Sequence, residues 1–286
     1  LKGGILKTGV TTLPDFEKDA TDRNRTSPFA FTNNKFEFRM VGSSDSIASP
    51  NIVLNTIVAE SFKEAANELE KADDFDEAVH NMIKKLFINH RRIIFNGNGY
   101  SDEWVKEAKR RGLSNLPSMV DAIPALVYDS SVKLFEEFEV FTRKELESRV
   151  EIEYEAYSKA INIEAKAMID IAGKSIIPAV IRYTTRLADS IIKLKKAMEG
   201  IEPYAQCSIL SEVNDHLKES KLALENLKKY MDDVSVITDV TEHARYMHEV
   251  IVPAMEALRK PIDTLEMIVD KDLWPMPSYG DLLFEV

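Results

Sequence analysis

Asn24-Arg25-Thr26-Ser27-Pro28-Phe29-Ala30-Phe31-Thr32-Asn33-Asn34-Lys35-Phe36-Glu37-Phe38-Arg39 reads as a tight β-hairpin. Asn33-Asn34 suits the centre of a type I′ turn, where both residues need φ > 0, because Asn enters the left-handed region more readily than most residues. A two-residue loop there sets Thr32 opposite Lys35, Phe31 opposite Phe36, Ala30 opposite Glu37, Phe29 opposite Phe38 and Pro28 opposite Arg39. Successive side chains alternate between the faces of a sheet. The four phenylalanines therefore share one face, and Glu37 and Arg39 share the other, opposite nothing larger than Ala30 and Pro28. The pattern predicts a core face on one side and an acid and a base beside an open space on the other.

Outward from the hairpin the chain becomes helical. Residues 1–23 read as loop, punctuated by Gly3, Gly4, Gly9, Pro14 and Asp15. Downstream, Gly42-Ser43-Ser44-Asp45-Ser46 is a polar loop. Ile52 to Leu69 is a predicted helix with Leu54, Ile57, Val58, Ser61, Phe62 and Ala65 on one face. Asp74 to Phe87 predicts another helix, and Ile93-Ile94-Phe95 is an apolar run ended by the turn Asn96-Gly97-Asn98-Gly99. Asp102 to Arg111 predicts a short helix capped by Gly112. Pro117 to Pro124 predicts a further helical turn.

The character changes at Thr142, where Thr142-Arg143-Lys144-Glu145 has the form of a capping box. The helix it opens reaches to about Met198, with a kink or break expected at Pro178. A second helix starts near Ala205. In it Leu210, Leu217, Leu224 and Met231 recur every seven residues, as do Val213, Ser220, Leu227 and Val234. This is an a/d seam with Ser220 its one polar member. A third helix, near Val240 to Asp270, offers Tyr246, Val250, Ala257, Leu258, Ile262, Leu265 and Ile268. The fold class is α+β and mostly α: a β-hairpin with helices over residues 1–141, then an antiparallel bundle of long helices over 142–286. The last segment, with Pro275, Pro277 and Gly280, is expected to be non-helical. Its Trp274, Tyr279, Leu282, Leu283 and Phe284 are apolar enough to dock on the body.

Hydrophobic content of 44% and charged content of 30% are those of a soluble globular chain. No basic cluster suggests a nucleic-acid surface, and a net charge of −11 argues against DNA or an anionic membrane as partner. No stretch approaches a membrane span, and the N-terminus has no signal-peptide pattern. The single cysteine, Cys207, excludes an internal disulfide framework and fits a reducing, cytoplasmic setting. It has no nearby base and reads as a structural or idle thiol rather than a nucleophile. His80, His90, His216, His243 and His248 are scattered and read as surface residues rather than a metal site. Asn96-Gly97-Asn98-Gly99 lacks the Lys-[Ser/Thr] that would make it a phosphate loop.

The segments Asn24-Arg25-Thr26-Ser27-Pro28-Phe29-Ala30-Phe31 and Lys35-Phe36-Glu37-Phe38-Arg39-Met40-Val41-Gly42-Ser43-Ser44 resemble the glutamine synthetases, specifically the type III branch. The resemblance continues through Ser49-Pro50-Asn51, Asn96-Gly97-Asn98-Gly99-Tyr100 and Trp274-Pro275-Met276-Pro277-Ser278-Tyr279-Gly280-Asp281-Leu282-Leu283-Phe284. It implies the end of a catalytic β-barrel domain followed by a helical tail. It also implies an ATP-dependent ligase joining glutamate and ammonia, with Mg2+ or Mn2+ as cofactor and an assembly of stacked rings, a dodecamer in this branch. By the same resemblance Glu37 is a metal ligand near the nucleotide phosphates, Arg39 holds the glutamate side of the reaction, and Arg25 stabilises the transferred phosphoryl group and contacts the nucleotide. Ala30 stands where better-known branches place a second Arg, and Asn33 where a Gly is expected.

The resemblance places the remaining metal carboxylates, the metal histidine and the N-terminal β-grasp domain upstream, so the chain reads as a C-terminal portion, inactive alone. On their own, Glu37 and Arg39 also suit an ordinary exposed pair worth about 0–1 kcal/mol. The alternative to an enzyme is a non-enzymatic helical module for assembly.

Overall fold

A computed structural model of the chain describes residues 5–6, 16–17, 29–31, 36–38, 42, 46–95, 98–277 and 279–284. The described part is mostly helical. Strands β1 (Ile5–Leu6) and β2 (Phe16–Glu17) pair antiparallel, with Ile5 opposite Glu17 and Leu6 opposite Phe16. From its sequence this region reads as loop, because pairings of two residues leave no periodic signal. Strands β3 (Phe29–Phe31) and β4 (Phe36–Phe38) form the expected hairpin. Its register, Phe29 opposite Phe38, Ala30 opposite Glu37 and Phe31 opposite Phe36, is the one that turn chemistry and alternation required. The turn Asn33-Asn34 and the facing of the four phenylalanines lie outside what is described.

The chain divides into two compact units, one of residues 1–117 and 133–141, the other of 118–132 and 142–286. In the first, α1 (Ala48–Leu69) and α2 (Phe75–Asn89) are joined by a short turn and by an ion pair of 3.2 Å between Lys85 and Glu68. Asp74 caps α2 by accepting the Glu77 N–H. The face of α1 is corrected. Ile57, Val58 and Phe62, read as its core side, are exposed, and the buried residue is Thr56, whose hydroxyl donates to the Ile52 carbonyl. Helix α3 (Asp102–Arg110) opens at Ser101, which accepts the Trp104 N–H. It ends at Gly112, where φ is +69° and the Leu113 N–H reaches back to Ala108. A left-handed C-terminal residue of this kind is what Gly supplies without a Cβ clash.

The second unit opens with α4 (Met119–Ala122), a 3-10 turn over Ile123–Val127 and the start of α5 (Asp129–Glu137). Three helical rods follow. The first is α6 (Arg143–Ile171), a π turn (Ala172–Ile176) and α7 (Ile177–Ala197). The second is α8 (Tyr204–Val234). The third is α9 (Val240–Tyr246), a second π turn (Met247–Ile251) and α10 (Val252–Ile268). The capping box is present in both directions. Thr142 accepts from the Glu145 N–H, and Glu145 accepts from the Thr142 N–H at 2.8 Å.

Pro178 does not break the first rod. A π turn lies immediately before it, closed by an Ile177 N–H bond to the Ala172 carbonyl, and an equivalent turn lies before Pro253. The wider turn spreads the carbonyls under the pyrrolidine ring, so each rod continues past a residue that would otherwise clash and interrupt it.

Helix α8 runs antiparallel between its neighbours, packing on α7 and on α10, while α9 returns to α6. Its d series is fully buried: Val213, Ser220, Leu227 and Val234. Of the a series only Leu224 is; Leu210, Leu217 and Met231 are half-buried. Ser220 donates to the His216 carbonyl at 2.8 Å, which lets a polar residue sit in the core without an unmet hydrogen bond. In the third rod the buried stripe is Ala244, Met247, Ile251, Leu258, Ile262 and Leu265. Tyr246 and Val250 are only half-buried and Ala257 is exposed, correcting the face expected at that end.

The C-terminal segment is corrected too. Leu273 and Trp274 pack against the bundle core, but residues Tyr279–Phe284 form a helix, α11, tied back by a 2.9 Å ion pair from Lys271 to Asp281. Beyond Pro277 no proline opposes a helical turn, and Leu282 and Leu283 remain exposed.

Candidate functional site

The hairpin fixes one of the three predicted site residues. Glu37 is central in β4 with its backbone opposite Ala30. Arg25 and Arg39 lie outside the described residues, as does the Glu37 side chain. A carboxylate is a hard oxygen donor of the kind Mg2+ and Mn2+ take. Among the described residues no group of three or more His, Cys, Asp or Glu is placed to hold a metal.

The other titratable candidates resolve into ordinary roles. Cys207 is exposed. His216 Nδ1 lies 3.0 Å from the Glu219 carboxylate one turn on. His248 is half-buried rather than on the surface, with Nδ1 3.1 Å from the Tyr157 hydroxyl. Burial pushes the Tyr157 hydroxyl above its usual range.

In the first unit, Arg91, Arg92, Ile94, Arg110 and Arg111 line a cleft of about 560 Å³. Much of its charge is already used. Glu107 receives Arg110 at 2.6 Å and Arg111 at 2.5 Å, and these two guanidinium groups bring its carboxyl down to about 2. Arg111 also donates to the Arg92 and Ile94 carbonyls, and Phe95 stacks on Trp104 at 4.0 Å. This network anchors the chain just before Asn96 and Gly97, which lie outside the described residues.

The second unit holds a cavity of about 720 Å³ that the sequence reading missed. One face of α6 supplies Ser158, Lys159, Lys166 and Ile169; α8 supplies Lys228, Met231 and Val234; the turn and α9 supply Ile237 and His243. Lys159 pairs with Glu155 at 2.7 Å. Ser158 is buried and its Oγ has no hydrogen-bond partner. An unmet buried hydroxyl costs roughly 1–3 kcal/mol. The available sequence signal was a short polar residue on the inward stripe of α6, with lysines one and eight residues beyond it.

The family profile described as the glutamine synthetase C-terminal domain matches residues 78–195. A type-3 glutamine synthetase of Dictyostelium discoideum is 40% identical over 286 residues, covering 96% of this chain and 38% of the relative. A glutamine synthetase of Bacteroides fragilis (strain YCH46) is 34% identical over 288 residues, covering 98% and 39%. One from Butyrivibrio fibrisolvens is 35% identical over 276 residues, covering 95% and 39%. The chain belongs to the glutamine synthetase family. It corresponds to a C-terminal portion of the type III branch and spans under two-fifths of the length of the curated relatives it matches. No described helix is long and apolar enough to cross a membrane.

Proposed function

We propose that the protein carrying this chain is a cytoplasmic ATP-dependent ligase that makes glutamine from glutamate and ammonia, and that the hairpin brings part of its active site. The observation that carries the reading is the β3–β4 register, which sets Glu37 opposite Ala30 in a chain similar along its whole length to glutamine synthetases. Glu37 would hold a Mg2+ or Mn2+ ion. Such an ion neutralises charge on phosphate oxygens when bound. Arg39 would grip the substrate carboxylate with its planar guanidinium fork. Arg25 would place fixed positive charge beside the transferred phosphoryl group, preorganised for the charge that develops there. One carboxylate and two arginines do not complete such a site, so the 286-residue chain alone is expected to make no glutamine.

Assembly into stacked rings, as a dodecamer, is part of the same proposal. Ile57, Val58, Phe62, Phe87 and Ile88 are exposed on α1 and α2, as are Ile152, Ile163 and Met267 on the bundle. Exposed apolar side chains in such number suit burial against the rest of the enzyme and its other subunits. The test is glutamate kinetics in the full-length enzyme carrying Arg39→Lys. An ammonium cannot reproduce the fork, so kcat/KM for glutamate should fall at least about tenfold, a loss of roughly 1.4 kcal/mol. An unchanged kcat/KM would remove Arg39 from the site.

A further inference from the structure

The cavity of the second unit is built where α6, α8 and the turn into α9 converge, and the ligase reading assigns it nothing. Three features of its lining point to a ligand. First, lysines outnumber carboxylates three to two: Lys159, Lys166 and Lys228 against Glu155 and Asp232. This occurs in a chain of net charge −11. Lys159 is occupied by Glu155, but Lys166 and Lys228 enter no ion pair among the described residues.

Second, the floor is apolar, made by Ile169, Met231, Val234 and Met247. Third, Ser158 is 6% exposed, lines the cavity, and its Oγ is unpartnered. The other two buried polar side chains among the described residues, Thr56 and Ser220, satisfy their hydroxyls by donating to the carbonyl one turn back. Ser158 does not. The volume of about 720 Å³ is that of a small-molecule site rather than a groove for a peptide or nucleic acid.

We propose that this cavity binds a small organic anion with an apolar body, its carboxylate held by Lys166 and Lys228, its body on Met231 and Met247, and a polar atom meeting Ser158. The cavity is lined by residues of the second unit alone, so the proposal stands whether or not the chemistry assigned to Glu37 and Arg39 does.

The experiment uses para-benzoylbenzoate, an apolar carboxylate whose ketone inserts into neighbouring C–H bonds on irradiation, with the full-length protein. Labelled peptides are read by mass spectrometry across a concentration series. Saturable labelling of the peptides that hold Met231 or Met247 is expected. Combining Lys166→Glu with Lys228→Glu should raise the half-saturating concentration at least about tenfold. Uncharged benzophenone should not saturate these peptides, and inorganic phosphate should not protect them.

Should the double variant lose helical circular dichroism, Ser158→Val, which keeps both lysines, decides; it should weaken labelling as well. Labelling that never saturates, that falls on other peptides, or that is indifferent to these substitutions would overturn the site. Equal labelling by benzophenone, or protection by phosphate alone, would overturn the stated ligand class.

Discussion

Replacing Leu227 by Ala tests the bundle at a fully buried position of its core. Leu227 is fully buried on α8, as part of the core that the three rods share. The substitution removes three carbons, worth about 2.4 kcal/mol at ~0.8 kcal/mol per buried methylene. The surrounding packing limits collapse into the void, so a cavity contribution adds to this, for a total of about 3–4 kcal/mol within the usual Leu→Ala range. Leu217 belongs to the same heptad pattern but is half-buried. About half of the transfer term applies there, with little cavity, giving roughly 1 kcal/mol. The assay is urea unfolding followed by helical circular dichroism, read at the transition that carries the bundle signal, because two compact units need not unfold together. The denaturant slope should stay constant while the midpoint moves. Equal losses in the two variants, or a larger loss at Leu217, would refute the burial pattern that separates the d series from the a series.

Thr142→Ala should destabilise the first rod by about 1 kcal/mol near neutral pH, the usual cost of a lost N-cap. The Thr142 backbone N–H, and then its hydroxyl, hold the Glu145 carboxyl below the ordinary carboxylate range. A carboxyl depressed in the folded state contributes fully above its unfolded pKa and loses that contribution as pH falls through the folded value. Alanine keeps the backbone N–H and removes only the hydroxyl's bond to the carboxylate, so the part of the Thr142→Ala penalty that comes from that bond should vanish in acid; equal midpoint shifts at neutral pH and in acid would contradict this. For assembly, deleting residues 200–270 from the full-length enzyme should lower the mass seen by light scattering, and an unchanged assembly would count against a role for the bundle between subunits.

The parts of the fold that could be read from sequence are those with a short period and a definite cap. Asn33-Asn34 and the alternation around them specify the β3–β4 register, because a slip of one residue would exchange the faces of Glu37 and Phe38. Thr142 and Glu145 announce the start of α6. The series Val213, Ser220, Leu227, Val234 marks the inner edge of α8. Elsewhere the signal was too short or too distributed. Ile5–Leu6 and Phe16–Glu17 pair over too few residues to show alternation. On α1 the large apolar residues Ile57, Val58 and Phe62 suggested a core face, whereas Thr56 is the residue enclosed. The cavity joins Ser158 and Lys166 to Lys228 and His243, residues far apart in sequence that only the return of the rods brings together. Roles for Arg25, Glu37 and Arg39 came from family resemblance, since spacing alone allows an exposed ion pair as readily as a catalytic one.

Glutamine formation by the full-length enzyme carrying Glu37→Gln, measured against Mg2+ concentration, tests the central claim most directly. The substitution keeps the size of the side chain and removes one anionic oxygen from a hard-metal ligand. The account predicts a higher metal requirement and, at saturating metal, turnover lower by at least about tenfold, equivalent to one transition-state contact of roughly 1.4 kcal/mol. Wild-type turnover with an unchanged Mg2+ dependence would contradict it.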